Sequence, residues 1–119
     1  MNFYQMGEIE SRFAEIIWQK EPISSTELSR LALCEFGWKK STVYTVIKRL
    51  CDKGIFKNEK GTVFSLVTKD EYYRHKSEAF ISENFGGSLP AFLTAFTNGK
   101  KLSEKEVFAL RELLNKYEG

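Results

Sequence analysis

The segment at residues 38–54 constrains the fold of this chain more than any other stretch of its sequence. Its apolar residues recur at helical spacing and fall within roughly 100° of arc on a helical wheel. They are Val43, Val46, Ile47 and Leu50. Hydroxyl and basic side chains occupy the opposite side, and Gly54 follows where a C′ glycine ends a helix. The segment therefore predicts an amphipathic helix over residues 40–53 that buries one face and exposes hydroxyls and cations on the other.

Two further helices are predicted upstream of this segment. Apolar residues at i, i+4, i+7 and i+8 predict a helix over residues 8–19 with one apolar face. The sequence Ser24-Ser-Thr-Glu27 is a capping box that opens a second helix over residues 24–35. Gly37 then ends this helix and allows the turn into the third.

A short β-hairpin is predicted directly downstream. Residues 55–59 and 62–67 have the composition of two strands, and Lys60-Gly61 joins them as a short connection with a turn-permissive glycine. Three helices followed by a two-stranded wing is the order of a winged helix-turn-helix domain. Its third helix is the element that enters the DNA major groove in such domains.

The remainder of the chain has a different character and predicts three more helices. Thr68 and Glu71 form a second capping box, which opens an amphipathic helix over residues 69–85. A short, strongly apolar helix is predicted over residues 89–96. A third capping box, at residues 103–106, opens the last helix.

This tail is too small to bury its own apolar side chains, because it has no sheet and no fourth helix. The side chains that require burial against another surface are those of Leu89, Phe92, Leu93, Phe96, Val107, Leu110, Leu114 and Tyr117. A second copy of the chain would cover them in a symmetric homodimer, and folding back onto the N-terminal domain is the alternative. We predict a mainly α fold with a small β-wing: a winged-helix DNA-binding domain at residues 1–68 and a helical dimerisation domain at residues 69–119.

Positive charge is concentrated around the third helix. Residues 38–60 carry seven basic and two acidic side chains, a net of +5, whereas the whole chain carries only +2. Such a patch is typical of a surface that binds a polyanion such as double-stranded DNA. A solvated lysine-rich face has the same composition and remains the alternative.

A helix in the major groove presents short hydrogen-bonding side chains to base edges and cations to phosphates. The candidate base contacts are Ser41, Thr42, Tyr44 and Thr45. The candidate phosphate contacts are Lys39, Lys40, Lys48, Arg49, Lys57 and Lys60. Trp38 is expected to pack the turn between the second and third helices. A winged helix that binds another protein through the same face is the alternative function.

The sequence contains no motif for catalysis, for a metal or for a cofactor. Cys34 and Cys51 fall in predicted helices without a CxxC, and we expect two buried, reduced thiols. His75 is alone in a charged helix and is expected to be a surface or partly packed residue. No apolar run is long enough to span a bilayer, and the first residues lack a signal-peptide pattern. We therefore expect a soluble cytoplasmic protein.

Four groups of residues carry a family resemblance. They are Ala14-Glu-Ile-Ile-Trp18, Trp38 with Ser41-Thr-Val-Tyr-Thr45, Arg49-Leu50 with Lys53-Gly54, and the tail from Leu102-Ser103 to Asn115-Lys116. In these groups, and over nearly its full length, the chain resembles the BlaI/MecI/CopY group of bacterial repressors, the penicillinase repressor family.

The resemblance implies a homodimer in which each winged helix reads half of a palindromic operator. It also implies repression of β-lactamase or related resistance genes, and inactivation through a membrane sensor-protease pathway that leads to cleavage in the dimerisation helices. In the β-lactam repressors the cut falls before a phenylalanine preceded by asparagine. The matching position is Ala95-Phe96, so alanine replaces the asparagine. The copper-responsive branch has a cysteine-rich C-terminal motif, and this tail contains no cysteine.

Overall fold

The computed structural model of the chain describes residues 6–118, so the outer ends of both predicted domains lie outside the described residues. The elements are α1 (Glu8–Lys20), β1 (Ile23–Ser24), α2 (Ser25–Phe36), α3 (Lys40–Asp52), β2 (Phe56–Glu59), β3 (Thr62–Ser65), α4 (Lys69–Phe85), α5 (Leu89–Thr97) and α6 (Glu104–Tyr117). The predicted mainly α fold with a small wing is confirmed. No described helix is long and apolar enough to cross a membrane.

The core of the N-terminal part forms where α1, α2 and α3 meet the sheet. Phe13 and Ile17 of α1 and Leu28 of α2 are completely buried there. All four apolar residues of the predicted α3 stripe are buried as well, which confirms that face of the helix. Ile9 is the first of the four apolar residues whose spacing predicts the apolar face of α1, but at the first turn of that helix it is 45% exposed.

Within residues 6–118 the sheet has three strands, one more than the sequence predicted. The strand order is β1-β3-β2, and both pairings are antiparallel. In the additional pair, Ile23 lies opposite Val63 and Ser24 opposite Thr62. A two-residue strand shows no alternation of polar and apolar residues, so its pairing is not evident from the sequence. Its consequence is that the wing is anchored to the chain just before α2.

The predicted helix starts are confirmed by hydrogen bonds. The hydroxyl oxygen of Ser24 accepts from the backbone amide of Glu27 at 3.0 Å. Thr68 and Ser103 accept in the same way from residues 71 and 106, both at 3.1 Å. Gly54 has a φ of 78°, which confirms the left-handed backbone expected of the residue that ends α3.

Trp18 joins three elements at the end of the wing. Its indole N–H donates to the backbone carbonyl of Val67 at 3.0 Å. Its ring lies 5.2 Å from the ring of Phe56 in β2 and 5.5 Å from that of Tyr72 in α4, measured between centroids. This side chain therefore links α1, the chain that leaves the sheet, and the start of α4.

Trp38 fills the turn between α2 and α3, as the sequence predicted. Its ring centroid lies 5.3 Å from that of Phe13 and 4.8 Å from that of Phe36. The expected burial of both cysteines is wrong, because Cys34 is exposed and Cys51 is half-buried. Cys34 lies two residues beyond the buried Ala32, about 200° further around the helix, which turns it away from the core.

The chain divides into two compact units, and the division falls inside α4, between Phe80 and Ile81. The first unit thus includes the beginning of α4, where Tyr72 is completely buried. In the second unit neither α5 nor α6 contains a buried residue. The sequence-based boundary after residue 68 corresponds to the cap of α4 and not to the division between compact units.

Candidate nucleic-acid interface

The candidate interface is centred on the solvent-facing side of α3. Because the apolar stripe fixes one side of the helix in the core, the opposite side is held toward solvent. The residues exposed there include the predicted hydroxyl and basic side chains Ser41, Thr42, Thr45, Lys48 and Arg49. The exposed hydroxyls lie in the first half of the helix and Lys48 and Arg49 in the second half, while Lys39 and Lys40 are exposed at its start.

Tyr44 lies at the edge of this face and contacts a residue that sequence reasoning missed. Its hydroxyl is 3.4 Å from the hydroxyl of Ser25, the first residue of α2, and 37% of Tyr44 is exposed. Ser25 is buried, and its backbone amide donates to the carbonyl of Gly61 in the wing turn at 2.8 Å. Ser25 therefore connects the wing turn to α3. In the sequence it appears only as part of a capping box, which gives no sign of this role.

The structure brings part of the predicted set together in a cleft between α3 and the wing. This cleft has a volume of about 340 Å³, and its walls include Tyr44 and Lys48 of α3 and Lys57 of β2. Ile47 and Phe56, both buried, contribute to its lining. Residues predicted separately on the helix and on the wing thus form one surface.

Lys48 has an acidic neighbour on its own helix. Its ammonium group lies 3.3 Å from a carboxylate oxygen of Asp52, four residues on, and both side chains are mostly exposed. Exposed pairs of this type contribute little to stability, typically less than about 1 kcal/mol. The lysine can therefore exchange this partner for a phosphate at small cost.

The wing holds its two predicted cations in the exposed part of the hairpin. Lys57 lies in β2, and Lys60 occupies the first central position of the turn. Lys60 has a φ of 51°, and Gly61 a φ of 86°, so both turn residues have left-handed backbone. The side-chain oxygen of Asn58 accepts from the amide of Gly61 at 3.0 Å and helps to fix this turn.

One basic residue of the charged segment has a structural role. Lys53 lies 3.2 Å from a carboxylate oxygen of Glu10, and both side chains are largely buried. This pair ties the end of α3 to α1. The six other basic residues of the segment, which are all of the predicted phosphate contacts, are exposed.

Cys51 lies at the cleft, and burial raises the pKa of its thiol. A raised pKa keeps the sulfur protonated near neutral pH, which makes it a poor nucleophile and a poor metal ligand. Among residues 6–118 no group of three or more histidine, cysteine, aspartate or glutamate side chains is placed to hold a metal ion.

The second compact unit carries an apolar groove between α5 and α6. The groove has a volume of about 430 Å³, and Phe92, Leu93, Phe96 and Leu110 contribute to its lining. Of the predicted interface residues, Leu89, Phe96, Leu114 and Tyr117 are more than half exposed. Phe92, Leu93, Val107 and Leu110 are half-buried.

The bond between Ala95 and Phe96 lies within α5. The helix begins at the cap Ser88, whose hydroxyl oxygen accepts from the amide of Ala91 at 3.1 Å, and it extends beyond this bond to Thr97. The hydroxyl of Thr97 donates to the carbonyl of Leu93 at 2.7 Å across the same turn. The backbone at this position is therefore helical and not extended.

Comparison with known proteins extends over both units. Residues 6–116 match the sequence profile described as penicillinase repressor. The methicillin resistance regulatory protein MecI of Staphylococcus aureus is 28% identical over 117 residues, which cover 95% of each chain. The penicillinase repressor of Bacillus licheniformis is 25% identical over 117 residues, covering 95% of this chain and 91% of that protein. The chain belongs to the penicillinase repressor family, whose members are transcriptional repressors and not enzymes.

Proposed function

We propose that this chain is a homodimeric repressor that acts in the cytoplasm and binds palindromic operators in double-stranded DNA. The observation that carries the proposal is the shared cleft of α3 and the wing, where Tyr44, Lys48 and Lys57 meet. Exposed hydroxyls adjoin this cleft on α3, and the buried stripe of the helix fixes their direction. A duplex lying against this surface receives base contacts from the helix and phosphate contacts from both elements.

The two classes of side chain contribute differently to binding. Lysine and arginine contacts to phosphates supply affinity for any duplex and release counterions, so the affinity falls as salt is added. The hydroxyls of Ser41, Thr42, Tyr44 and Thr45 supply discrimination between base sequences.

Salt titration of DNA binding tests this division. For the wild-type protein we expect the logarithm of affinity to fall linearly with the logarithm of salt concentration. Lys48→Ala and Lys57→Ala should each reduce this slope by about one and weaken operator and random DNA equally. Lys105→Ala, at an exposed position on α6, is the control. Absence of DNA binding at low salt would refute the proposal and favour a protein partner for this face.

Dimerisation is proposed to occur through the groove of the second unit. Its apolar lining and the exposed Leu114 and Tyr117 leave a surface that a second copy covers by two-fold symmetry. Two winged helices held at a fixed spacing then read two half-sites of a palindrome. One half-site alone supplies only part of the binding free energy.

Leu110→Asp places a charge in this groove and should yield monomers with much weaker operator binding. Lys105→Asp introduces the same side chain at an exposed position that does not line the groove, and it should remain dimeric. Sedimentation velocity at micromolar concentration measures the oligomeric state of both variants. A wild-type protein that sediments as a monomer would refute this assignment.

We further propose that the operators control β-lactamase-type genes and that cleavage between Ala95 and Phe96 releases the DNA. A protease binds its substrate as extended chain, so α5 must open first. Because α5 contains no residue buried within the single chain, this opening disrupts no core of the subunit and acts on the proposed dimer surface. Exposure of cells to a β-lactam should produce a fragment that ends at Ala95, detectable by mass spectrometry. Derepression without this fragment would contradict the cleavage step.

A further inference from the structure

One hydroxyl on the outward side of α3 already donates its hydrogen to the helix itself. The side-chain oxygen of Thr45 lies 2.9 Å from the backbone carbonyl of Ser41, one turn earlier, and donates to it. The hydroxyls of Ser41 and Thr42 make no hydrogen bond within the described part of the chain. All three side chains are exposed.

This difference determines what each hydroxyl offers to a ligand. A hydroxyl has one hydrogen to donate and two lone pairs to accept. The hydrogen of Thr45 is directed at the carbonyl of Ser41, so only its lone pairs remain for a partner in solvent. To donate outward, Thr45 would first have to give up the bond within α3. The hydroxyls of Ser41 and Thr42 can rotate and donate or accept as the partner requires.

The major-groove edges of the four bases differ in the groups that match such an acceptor. Adenine and cytosine each present an exocyclic amino group, which donates. Guanine presents only the acceptors N7 and O6. These groups cannot donate to the lone pairs of Thr45, so no hydrogen bond forms between them. Thymine presents a carbonyl acceptor and a methyl group.

We infer that Thr45 is a specificity-determining residue that accepts a hydrogen bond from the exocyclic amino group of adenine or cytosine and selects against guanine. This inference rests on the proposed DNA-binding function and deepens it, because it assigns a chemical class of base to one residue. The hydroxyls of Ser41 and Thr42 make no hydrogen bond within the described part of the chain, so these two residues can face either a donor or an acceptor on a base edge.

Two matched variants test the inference on an operator selected from random duplexes. Thr45→Val keeps the shape of the side chain and replaces the hydroxyl by a methyl group. Thr42→Val makes the same change at an exposed neighbour on α3. A scan of all four bases at each position of the operator identifies the position at which Thr45→Val relaxes the preference.

At that position the wild type should prefer adenine or cytosine on the contacted strand and bind guanine most weakly. Thr45→Val should bind the operator roughly 5- to 100-fold more weakly than the wild type and should no longer discriminate against guanine. Its affinity for random DNA should be unchanged. Removal of the exocyclic amino group from the contacted base should weaken the wild type by a similar factor. It should leave Thr45→Val nearly unchanged, because in a double-mutant cycle the two deletions remove the same contact.

Two results would overturn the inference. One is a wild-type preference for guanine at the contacted position. The other is an operator affinity of Thr45→Val equal to that of the wild type, which would leave only a methyl contact to thymine. A wild-type protein that does not distinguish operator from random DNA would instead refute the proposed function, so the two failures are distinguishable.

Discussion

Replacement of Trp18 by phenylalanine removes one buried hydrogen bond and keeps much of the surrounding aromatic packing. The indole N–H of Trp18 donates to the carbonyl of Val67, and Val67 is only 8% exposed. A phenylalanine ring still reaches toward Phe56 and Tyr72, which lie within 5.5 Å of the indole between centroids. The principal loss is therefore the donor to a buried carbonyl.

The magnitude follows from two contributions to the free energy of unfolding. A buried carbonyl that loses its donor costs about 1–2 kcal/mol. The smaller ring leaves a cavity that costs about a further 1 kcal/mol. We therefore expect Trp18→Phe to lower the free energy of unfolding of the first compact unit by about 2–3 kcal/mol.

Trp38→Phe is the matched control, because Trp38 packs between Phe13 and Phe36 and its indole N–H has no partner within residues 6–118. Its loss should be limited to packing, about 1 kcal/mol. Urea denaturation followed by far-ultraviolet circular dichroism measures the free energy of unfolding of both variants without relying on tryptophan fluorescence. Equal losses in the two variants would refute the argument that the bond to Val67 stabilises this junction.

Two further predictions concern the cysteines and the wing. Iodoacetamide should alkylate Cys34 at least roughly tenfold faster than Cys51, because Cys34 is exposed and burial raises the pKa of the Cys51 thiol. Peptide mapping by mass spectrometry measures both rates, and a faster reaction at Cys51 would contradict the burial. Lys60→Asn should raise the free energy of unfolding by about 0.5–1 kcal/mol, since asparagine adopts the left-handed backbone of this turn more readily, while weakening binding to all DNA alike. Lys57→Asn, in a regular strand, should weaken DNA binding without the gain in stability.

The sequence was sufficient to predict α3 because two independent patterns agree there. The helical spacing of Val43, Val46, Ile47 and Leu50 fixes the buried side, and Gly54 fixes the end. The outward direction of the hydroxyls follows from the same spacing. The contact between Ser25 and Tyr44 could not be predicted, because it depends on tertiary packing between α2 and α3.

Residue type alone was misleading at Cys34. Cysteine is commonly buried, but the position of a residue around the helix takes precedence over its type. The apolar faces of α5 and α6 are a different case. The sequence reveals an excess of apolar surface in the tail, and the structure leaves that surface open.

The position of Tyr72 has a consequence for how the two halves of such repressors can be exchanged. A chimaera joined at the cap of α4 would inherit the wing but lose the side chain that fills the space beside Trp18. Tyr72 is completely buried, so an unrelated helix at this point would leave a cavity in the DNA-binding half. A joint placed after Phe80 would carry the complete core with it. The part of this chain that can be transplanted thus ends within a helix, and not in the loop that precedes it.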